Sequence, residues 1–251
     1  MFNKVNIKVF IWVGFIILLT AVAPTTNKAA ASSLSVTYYT ANGQDFGTGG
    51  PQWGTYTNEV QSTLGPDGLP VLNPAYTGYI SDVSPKTGEI LWWSPSLTLP
   101  ITTVLFTGTG TATLPYANYA LYPPNATGTN DANGMQTAVF SGTLHLPTSE
   151  SVTFTFGADD DAFLYVDGTL VSSLGGIHGL SPGPTTTATL SPGNHTLTLF
   201  YADQMQSGAE LYLSINTSGV TTTPSVPEPT TMLLLGLGLI GVAGIRRKFK
   251  N

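Results

Sequence analysis

The stretch FTFGADDDAFLYVDG, residues 154–168, decides the fold of this chain. Before and after its three aspartates, apolar residues alternate with small or polar ones, with the period of two that half-buried β-strands show. The stretch closes on Asp167-Gly168, a pair that strongly favours a tight hairpin turn. It therefore predicts two strands flanking consecutive carboxylates, followed by a hairpin.

The three consecutive carboxylates predict a cation site. Like charges this close repel one another at neutral pH, and a simple turn needs only one aspartate or asparagine. Calcium collects six to eight oxygen ligands, so clustered carboxylate oxygens suit it. The sequence predicts a calcium site at Asp159, Asp160 and Asp161. A solvated acidic turn without an ion is the alternative.

The composition favours an all-β domain. The chain has 251 residues, with 28 glycines, 18 prolines and no cysteine. Threonine and aromatic residues are common and good helix formers are few, as in β-proteins. The absence of cysteine excludes thiol catalysis, zinc–thiolate sites and iron–sulfur clusters.

The N-terminus has the three parts of a secretory signal peptide. Lys4 and Lys8 form a positive region, residues 9–23 are apolar, and Ala29-Ala30-Ala31 is a small-residue cleavage site. Residues 1–31 are therefore predicted to be a signal peptide, with an uncleaved N-terminal anchor as the alternative. The mature domain is expected at residues 32–216.

The C-terminus resembles a second sorting signal. A Thr/Pro-rich spacer at 217–229 ends in Pro227-Glu228-Pro229, and the hydrophobic segment 230–251 contains the apolar run 232–245 and a basic end. This pattern resembles the PEP-CTERM signal of bacterial surface proteins. The resemblance implies a sorting helix that enters the membrane transiently, cleavage by an exosortase, and a final place on the cell surface or in the extracellular matrix. A simple membrane anchor is the alternative.

Between the two signals the chain is strongly acidic. Lys86 is the one lysine or arginine of residues 32–224, against thirteen aspartates and glutamates, so this region carries a formal charge of about −12. Binding of nucleic acid or anionic lipid needs basic side chains and is excluded. Cations are the natural partners.

Two further predictions concern the strands and loops. Alternation predicts a strand at 137–146 that forms a hairpin with 151–157. Residues 41–100 are rich in loops and aromatic residues, which we expect to pack over the sheet. Within them Trp92 and Trp93 are neighbours, and neighbours in a strand face opposite sides, so one of the two is expected on the less buried side.

The central motifs resemble the fibro-slime domain. The resemblance lies in the stretch 154–168, LGGIHG at 174–179 and LFYAD at 199–203, with DF at 45–46 and TLGPDGLPV at 63–71 upstream. It covers most of the mature domain. The chain departs from the family at Ala158, where the family has glycine, and at Asp203-Gln204, where Glu-Arg is common.

Fibro-slime domains are in turn similar to the protective-antigen-type sandwich of adhesins that bind sugars through calcium. The resemblance implies a single antiparallel β-sandwich, jelly-roll-like, with long loops. In such domains two adjacent aspartates hold the ion, and the spacing maps them onto Asp159 and Asp160. Asp161 is then an additional or structural carboxylate, and His178 and Asp203 are further candidate ligands from neighbouring loops.

These observations predict calcium-dependent binding of an extracellular polysaccharide or cell-surface glycan. The alternative is a structural matrix component in which calcium only stabilises the fold. We expect no enzyme, because adjacent aspartates in one turn are poorly placed to flank a glycosidic bond. The sequence also contains no HExxH motif and no Ser-His-Asp spacing.

Overall fold

The computed structural model describes residues 33–42, 45, 50–95, 103–121, 134–205, 208–216 and 221–224. The predicted signal peptide, the motif at Pro227, Glu228 and Pro229, and the sorting segment lie outside these ranges. The described part of the chain contains no helix long and apolar enough to cross a membrane.

The described residues form fourteen strands and are all-β. In chain order the strands are β1 (Ser33–Asn42), β2 (Val60–Leu64), β3 (Pro70–Leu72), β4 (Thr103–Thr113), β5 (Tyr116–Asn118), β6 (Gly134–Leu146), β7 (Glu150–Asp159), β8 (Asp161–Val166), β9 (Thr169–Leu174), β10 (Ser181–Pro182), β11 (Thr186–Leu190), β12 (Gly193–Asp203), β13 (Glu210–Asn216) and β14 (Thr221–Pro224).

These strands build two antiparallel sheets that pack as a sandwich. The larger sheet has nine strands in the order β3-β2-β9-β8-β12-β6-β1-β4, with β14 also paired to β6. The smaller has five strands in the order β10-β7-β13-β5, with β11 also paired to β7. The predicted fold class, an all-β antiparallel sandwich, is confirmed.

The first hydrophobic core lies between the two sheets. On β7, Val152, Phe154 and Phe156 are fully buried while the intervening threonines are half-buried, as the alternation predicts. The partners of these three residues come from both sheets: Leu34 and Val36 on β1, Phe140 on β6, Leu164 on β8, Leu199 on β12, and Leu211 and Leu213 on β13. Each large apolar side chain that is buried here stabilises the fold by about 1.5–3 kcal/mol.

A second core covers the outer face of the larger sheet. Phe163 and Tyr165 of β8 and Phe200 of β12 pack there against the indoles of Trp92 and Trp93. β8 is therefore buried on both faces, which explains its almost continuous apolar sequence. The expectation that one of the two tryptophans is less buried is wrong. Both lie in a turn rather than a strand, so the alternation rule does not apply, and their exposed fractions are 0% and 3%.

The predicted hairpin between the strand at 137–146 and the strand at 151–157 is also wrong. β6 pairs with β1 and β12 in the larger sheet, whereas β7 pairs with β11 and β13 in the smaller one. The short connection between β6 and β7 crosses from one sheet to the other. Both strands face the same core, so their alternation is the same as it would be in a hairpin.

The hairpin at Asp167-Gly168 forms between β8 and β9 as its sequence predicts. Both turn residues have positive φ, 51° and 72°, which is the conformation that the tightest hairpin turn requires.

Strand β14 falls inside the segment predicted as a spacer. Residues 221–224 pair with residues 142–145 of β6, so the sheet continues past residue 216.

Candidate functional site

The three consecutive aspartates lie where the chain passes from one sheet to the other. β7 ends at Asp159 in the smaller sheet, β8 begins at Asp161 in the larger sheet, and Asp160 is the one residue between them. The peptide bond between Asp159 and Asp160 is cis. The Asp160 amide donates a hydrogen bond of 3.2 Å to the carbonyl oxygen of Ala202 on β12. This bond brings the end of β12 beside the crossing.

Three carboxylates converge at this place. One oxygen from each of Asp159, Asp160 and Asp203 lies within 4.8 Å of the other two. Oxygens that share one calcium ion at about 2.3–2.6 Å lie within about 5 Å of each other, so this donor set fits calcium in both chemistry and spacing. Asp160 and Asp203 are fully buried, and Asp159 has an exposed fraction of 9%. The cluster therefore approaches solvent at Asp159.

The Asp160 carboxylate is held by two backbone amides from different loops. Its Oδ1 accepts a hydrogen bond of 2.7 Å from the His178 amide, and its Oδ2 accepts one of 2.7 Å from the Gln204 amide. A carboxylate has about four lone-pair positions, so both oxygens keep one for an ion. Burial raises the pKa of Asp160, and the two amide hydrogen bonds oppose that rise.

Asp159 is placed by its neighbours on both sides. The Tyr201 hydroxyl donates a hydrogen bond of 2.6 Å to the Asp159 carbonyl oxygen. A Cβ atom added at Gly208 would clash with Oδ2 of the Asp159 carboxylate. Gly208 also has φ +106°, which disfavours any other residue. The glycine therefore leaves space at the most accessible carboxylate.

Asp161 is not part of the three-carboxylate group. Its Oδ1 accepts a hydrogen bond of 2.7 Å from the Gly176 amide, and its Oδ2 accepts one of 2.5 Å from the Gln204 side chain. Burial raises its pKa well above the usual range, and the charges of Glu59 and Asp160 add to that rise. Here Asp161 connects the 175–178 loop with the residue that follows Asp203.

His178 contributes its backbone to the site. Its amide binds Asp160, while its ring Nδ1 lies 2.9 Å from the carbonyl oxygen of Gly179. Asp203, predicted only as a further candidate, is one of the three converging carboxylates.

A fourth buried carboxylate, Glu59, lies behind the aspartates. Burial raises its pKa to about 8; nearby Tyr76 and the Gly176 amide oppose the rise, and the charges of Asp160 and Asp45 increase it. A Cβ atom added at Gly175 would lie 2.3 Å from the Glu59 carboxylate, so this glycine is needed for close packing. No motif in the sequence marks Glu59, because it lies about a hundred residues from the aspartates.

The described part of the chain buries several acidic residues besides the three converging ones. Eight acidic residues of the described chain are buried: Asp45, Glu59, Asp82, Glu89, Asp159, Asp160, Asp161 and Asp203. Lys86, the one lysine or arginine in the described ranges, is exposed in a turn. Buried charges are costly unless they are neutralised or paired. A bound cation is one means of neutralisation.

Comparison with protein families gives one match. Residues 225–248 match the PEP-CTERM protein-sorting motif. The motif marks the chain for export, membrane anchoring and sorting to the surface, with processing by an exosortase. A comparison with curated protein sequences gives no match. The resemblance to the fibro-slime domain stays a prediction.

Several solved structures are similar to parts of the sandwich. The sugar-binding PA14 domain of an RTX adhesin is 15% identical, with a TM-score of 0.34, over 77% of this chain and 96% of that one. The Epa9 adhesin A domain of Candida glabrata, in complex with Galβ1-4GlcNAc, is 13% identical, with a TM-score of 0.35, over 78% and 87%. A β-glucosidase of Kluyveromyces marxianus is 11% identical, with a TM-score of 0.29; the match covers 34% of this chain and only 11% of that enzyme.

Proposed function

We propose that the sandwich is a surface or matrix domain that binds glycans through calcium. Asp159, Asp160 and Asp203 hold the ion, and Asp161 supports the loops around it without being a ligand. The glycan is an extracellular polysaccharide or a cell-surface glycan. The single observation that carries the proposal is the convergence of three carboxylate oxygens within 4.8 Å in a buried setting.

The donor set favours a hard cation. Carboxylate oxygens suit calcium and magnesium, whereas imidazole and thiolate ligands suit zinc and copper. The cluster consists of carboxylates, and the chain has no cysteine. Calcium accepts six to eight oxygens in flexible geometry, while magnesium demands a near-ideal octahedron. Three carboxylates from three backbone positions leave coordination places for a ligand, which favours calcium.

Glycan binding follows from the coordination positions of the ion that the three carboxylates leave open. Sugar hydroxyls are neutral oxygen donors and can complete the shell of an ion that the protein holds on one side. The limited exposure of Asp159 marks the side from which they approach. The role is binding rather than catalysis, since Asp159 and Asp160 are consecutive and cannot stand on opposite sides of a glycosidic bond.

A structural role is the second candidate, and the burial of the cluster favours it. Asp160 and Asp203 are fully buried and join the β7–β8 crossing to the end of β12. An ion at this place would neutralise the cluster and tie the two sheets together without any sugar. Binding to the folded state alone would raise its stability by mass action.

A thermal melt with and without calcium tests the metal site. We expect 1 mM calcium to raise the Tm of the wild-type domain by several degrees and magnesium to raise it less. Asp203→Asn should abolish the calcium shift. Asp67→Asn is the matched control, because it removes one exposed carboxylate from a turn in another part of the fold. An unchanged Tm of the wild-type domain at millimolar calcium would overturn the proposal.

A glycan array in calcium and in EGTA separates the two candidates. Binding that requires calcium supports the glycan-binding function. A calcium-dependent Tm without binding to any glycan supports the structural role instead.

A further inference from the structure

We propose that Trp53 is the stacking residue of this site, so that the bound glycan contacts the ion with its hydroxyls and the Trp53 indole with the apolar face of a pyranose ring. This inference rests on the proposed function. The inference adds to the proposed function a second contact point with the glycan. It also names the ligand class, a pyranose that presents hydroxyls on one side and a C–H face to an aromatic ring.

Trp53 stands out by its exposure. Its exposed fraction is 64%, whereas Trp92 and Trp93 have 0% and 3%. An indole is large and apolar, and leaving it in water forgoes the stabilisation that its burial would give. Leu180, at 37%, is also an exposed large apolar residue, two positions after His178. Exposed apolar side chains thus lie at Leu180 in the 175–180 loop and at Trp53, which pairs with Ile177 of the same loop.

Backbone hydrogen bonds connect Trp53 to the ion site. Trp53 forms a parallel bridge with Ile177, in which the Gly54 amide donates to the Ile177 carbonyl oxygen at 2.9 Å and the Ile177 amide donates to the Gln52 carbonyl oxygen at 3.0 Å. The next residue, His178, donates its amide to Oδ1 of Asp160. The loop therefore pairs with the backbone at Trp53 through Ile177 and binds the candidate calcium ligand Asp160 through the next residue, His178.

The backbone of Trp53 lies close to the candidate ion site. Paired residues on neighbouring strands lie about 5 Å apart, and successive Cα atoms are about 3.8 Å apart. Adding the 2.7 Å bond to Asp160 places the Trp53 backbone within roughly 12 Å of that carboxylate. A ligand held at the ion is thus within reach of the indole.

The platform that carries Trp53 is rigid. The amides of Tyr56 and Gly175 each donate to the other's carbonyl oxygen at 2.8 Å. A Cβ atom added at Gly176 would lie 2.5 Å from the Gly54 carbonyl oxygen, so the two segments touch backbone to backbone. The Tyr56 ring packs edge-on against Tyr76, with ring centroids 5.3 Å apart. The backbone that carries Trp53 is therefore ordered before a ligand binds, which limits the conformational freedom lost on binding.

The experiment compares Trp53→Ala and Trp53→Phe with the wild-type domain. The probe is an array of hexopyranose mono- and disaccharides, printed and read in 1 mM calcium, with affinities of the strongest binder measured by calorimetry. An aromatic contact of this kind corresponds to a three- to tenfold change in affinity. We expect Trp53→Ala to lower the glycan affinity three- to tenfold and Trp53→Phe to keep most of that affinity.

The control is Phe106→Ala, another exposed aromatic residue, with 57% exposure, on edge strand β4 three strands away from β12. It should leave glycan affinity unchanged. All variants should keep the calcium-dependent rise in Tm. Addition of the sugar should also shift the tryptophan emission of the wild-type domain to shorter wavelength, and Trp53→Phe should remove that shift.

The outcomes separate the two proposals. Failure of calcium to raise the wild-type Tm refutes the metal site itself. A calcium-dependent Tm together with glycan binding that Trp53→Ala leaves unchanged refutes the role of Trp53 alone. Calcium binding without any glycan binding overturns the stacking role together with the glycan-binding function.

Discussion

The hydroxyl of Tyr201 donates a hydrogen bond of 2.6 Å to the carbonyl oxygen of Asp159, and both groups are buried. Tyr201 belongs to β12 in the larger sheet, and Asp159 is the last residue of β7 in the smaller sheet. This bond therefore joins the two sheets at the candidate metal site. It also fixes the backbone of the most accessible carboxylate.

Tyr201→Phe should lower both stability and calcium affinity. The substitution removes the donor and leaves a buried carbonyl oxygen without it, which costs about 1–3 kcal/mol. For a domain of this size that loss corresponds to a decrease in Tm of several degrees. Thermal melts measure the first effect, and calorimetric titration with calcium measures the second.

Tyr165→Phe is the matched control, since Tyr165 is equally buried but its hydroxyl lies 3.4 Å from its acceptor, the Gln61 carbonyl oxygen. A bond this long contributes little. Equal losses in the two variants would mean that the Tyr201 hydroxyl has no special role.

Gly208→Ala should weaken calcium binding more than it weakens the fold. The new Cβ would approach the Asp159 carboxylate to 2.4 Å, so the carboxylate must move, and φ +106° adds backbone strain. Gly68→Ala is the control for strain alone, because Gly68 has φ +78° and open space around its Cβ position. We expect both variants to lose stability and only Gly208→Ala to lose at least tenfold in calcium affinity. Calorimetric titration with calcium measures both affinities. Equal calcium affinities of Gly208→Ala and Gly68→Ala would contradict this prediction.

The sequence predicts the local conformation of the chain better than it predicts the strand pairing. Local patterns are sufficient for the turn at Asp167-Gly168, for the alternation on β7, and for the sandwich class. They do not distinguish a hairpin from a crossing between sheets, because β6 and β7 face one core in either case. Local sequence likewise does not determine that Asp203, rather than Asp161, joins Asp159 and Asp160 in the carboxylate cluster. This arrangement depends on the Gly176 amide and the Gln204 side chain, which long-range folding brings to Asp161.

Glu59→Gln should stabilise the calcium-free domain at and above neutral pH. Burial raises the pKa of Glu59 from 4.5 to about 8. A group with a raised pKa in the folded state contributes stability below its unfolded pKa and loses it as the pH rises through the folded value. The wild-type domain therefore loses stability between about pH 5 and pH 8. Glutamine does not titrate, so the Tm of the variant should fall less over this range.

The comparison needs a control for net charge. Asp67→Asn removes one negative charge from an exposed turn and should leave the slope of Tm against pH unchanged. A slope that is equally steep in wild-type and Glu59→Gln domains would show that Glu59 is ionised in the folded state throughout.

His195 should make a second, independent contribution to the pH dependence. Its Nδ1 lies 2.6 Å from Oδ2 of Asp167, and its Nε2 lies 2.9 Å from the carbonyl oxygen of Ser191. Both partners are acceptors, so only the protonated ring donates to both. The hydrogen bond to Asp167 raises the pKa of His195, and the one to Ser191 adds to the rise. The protonated ring then ties the β8–β9 turn to the β11–β12 turn.

The stability from this ring is complete below about pH 6.5, the usual pKa of the unfolded histidine, and is lost as the pH rises through the higher folded value. His195→Gln should therefore lower the Tm at pH 5.5 by more than at pH 8.5. Thermal melts at both pH values measure this, with His145→Gln as the control at an exposed histidine. Asp167 and Asp161 are at opposite ends of β8, about 20 Å apart, so calcium affinity should not change. Equal decreases in Tm at both pH values would mean that the ring is neutral in the folded protein.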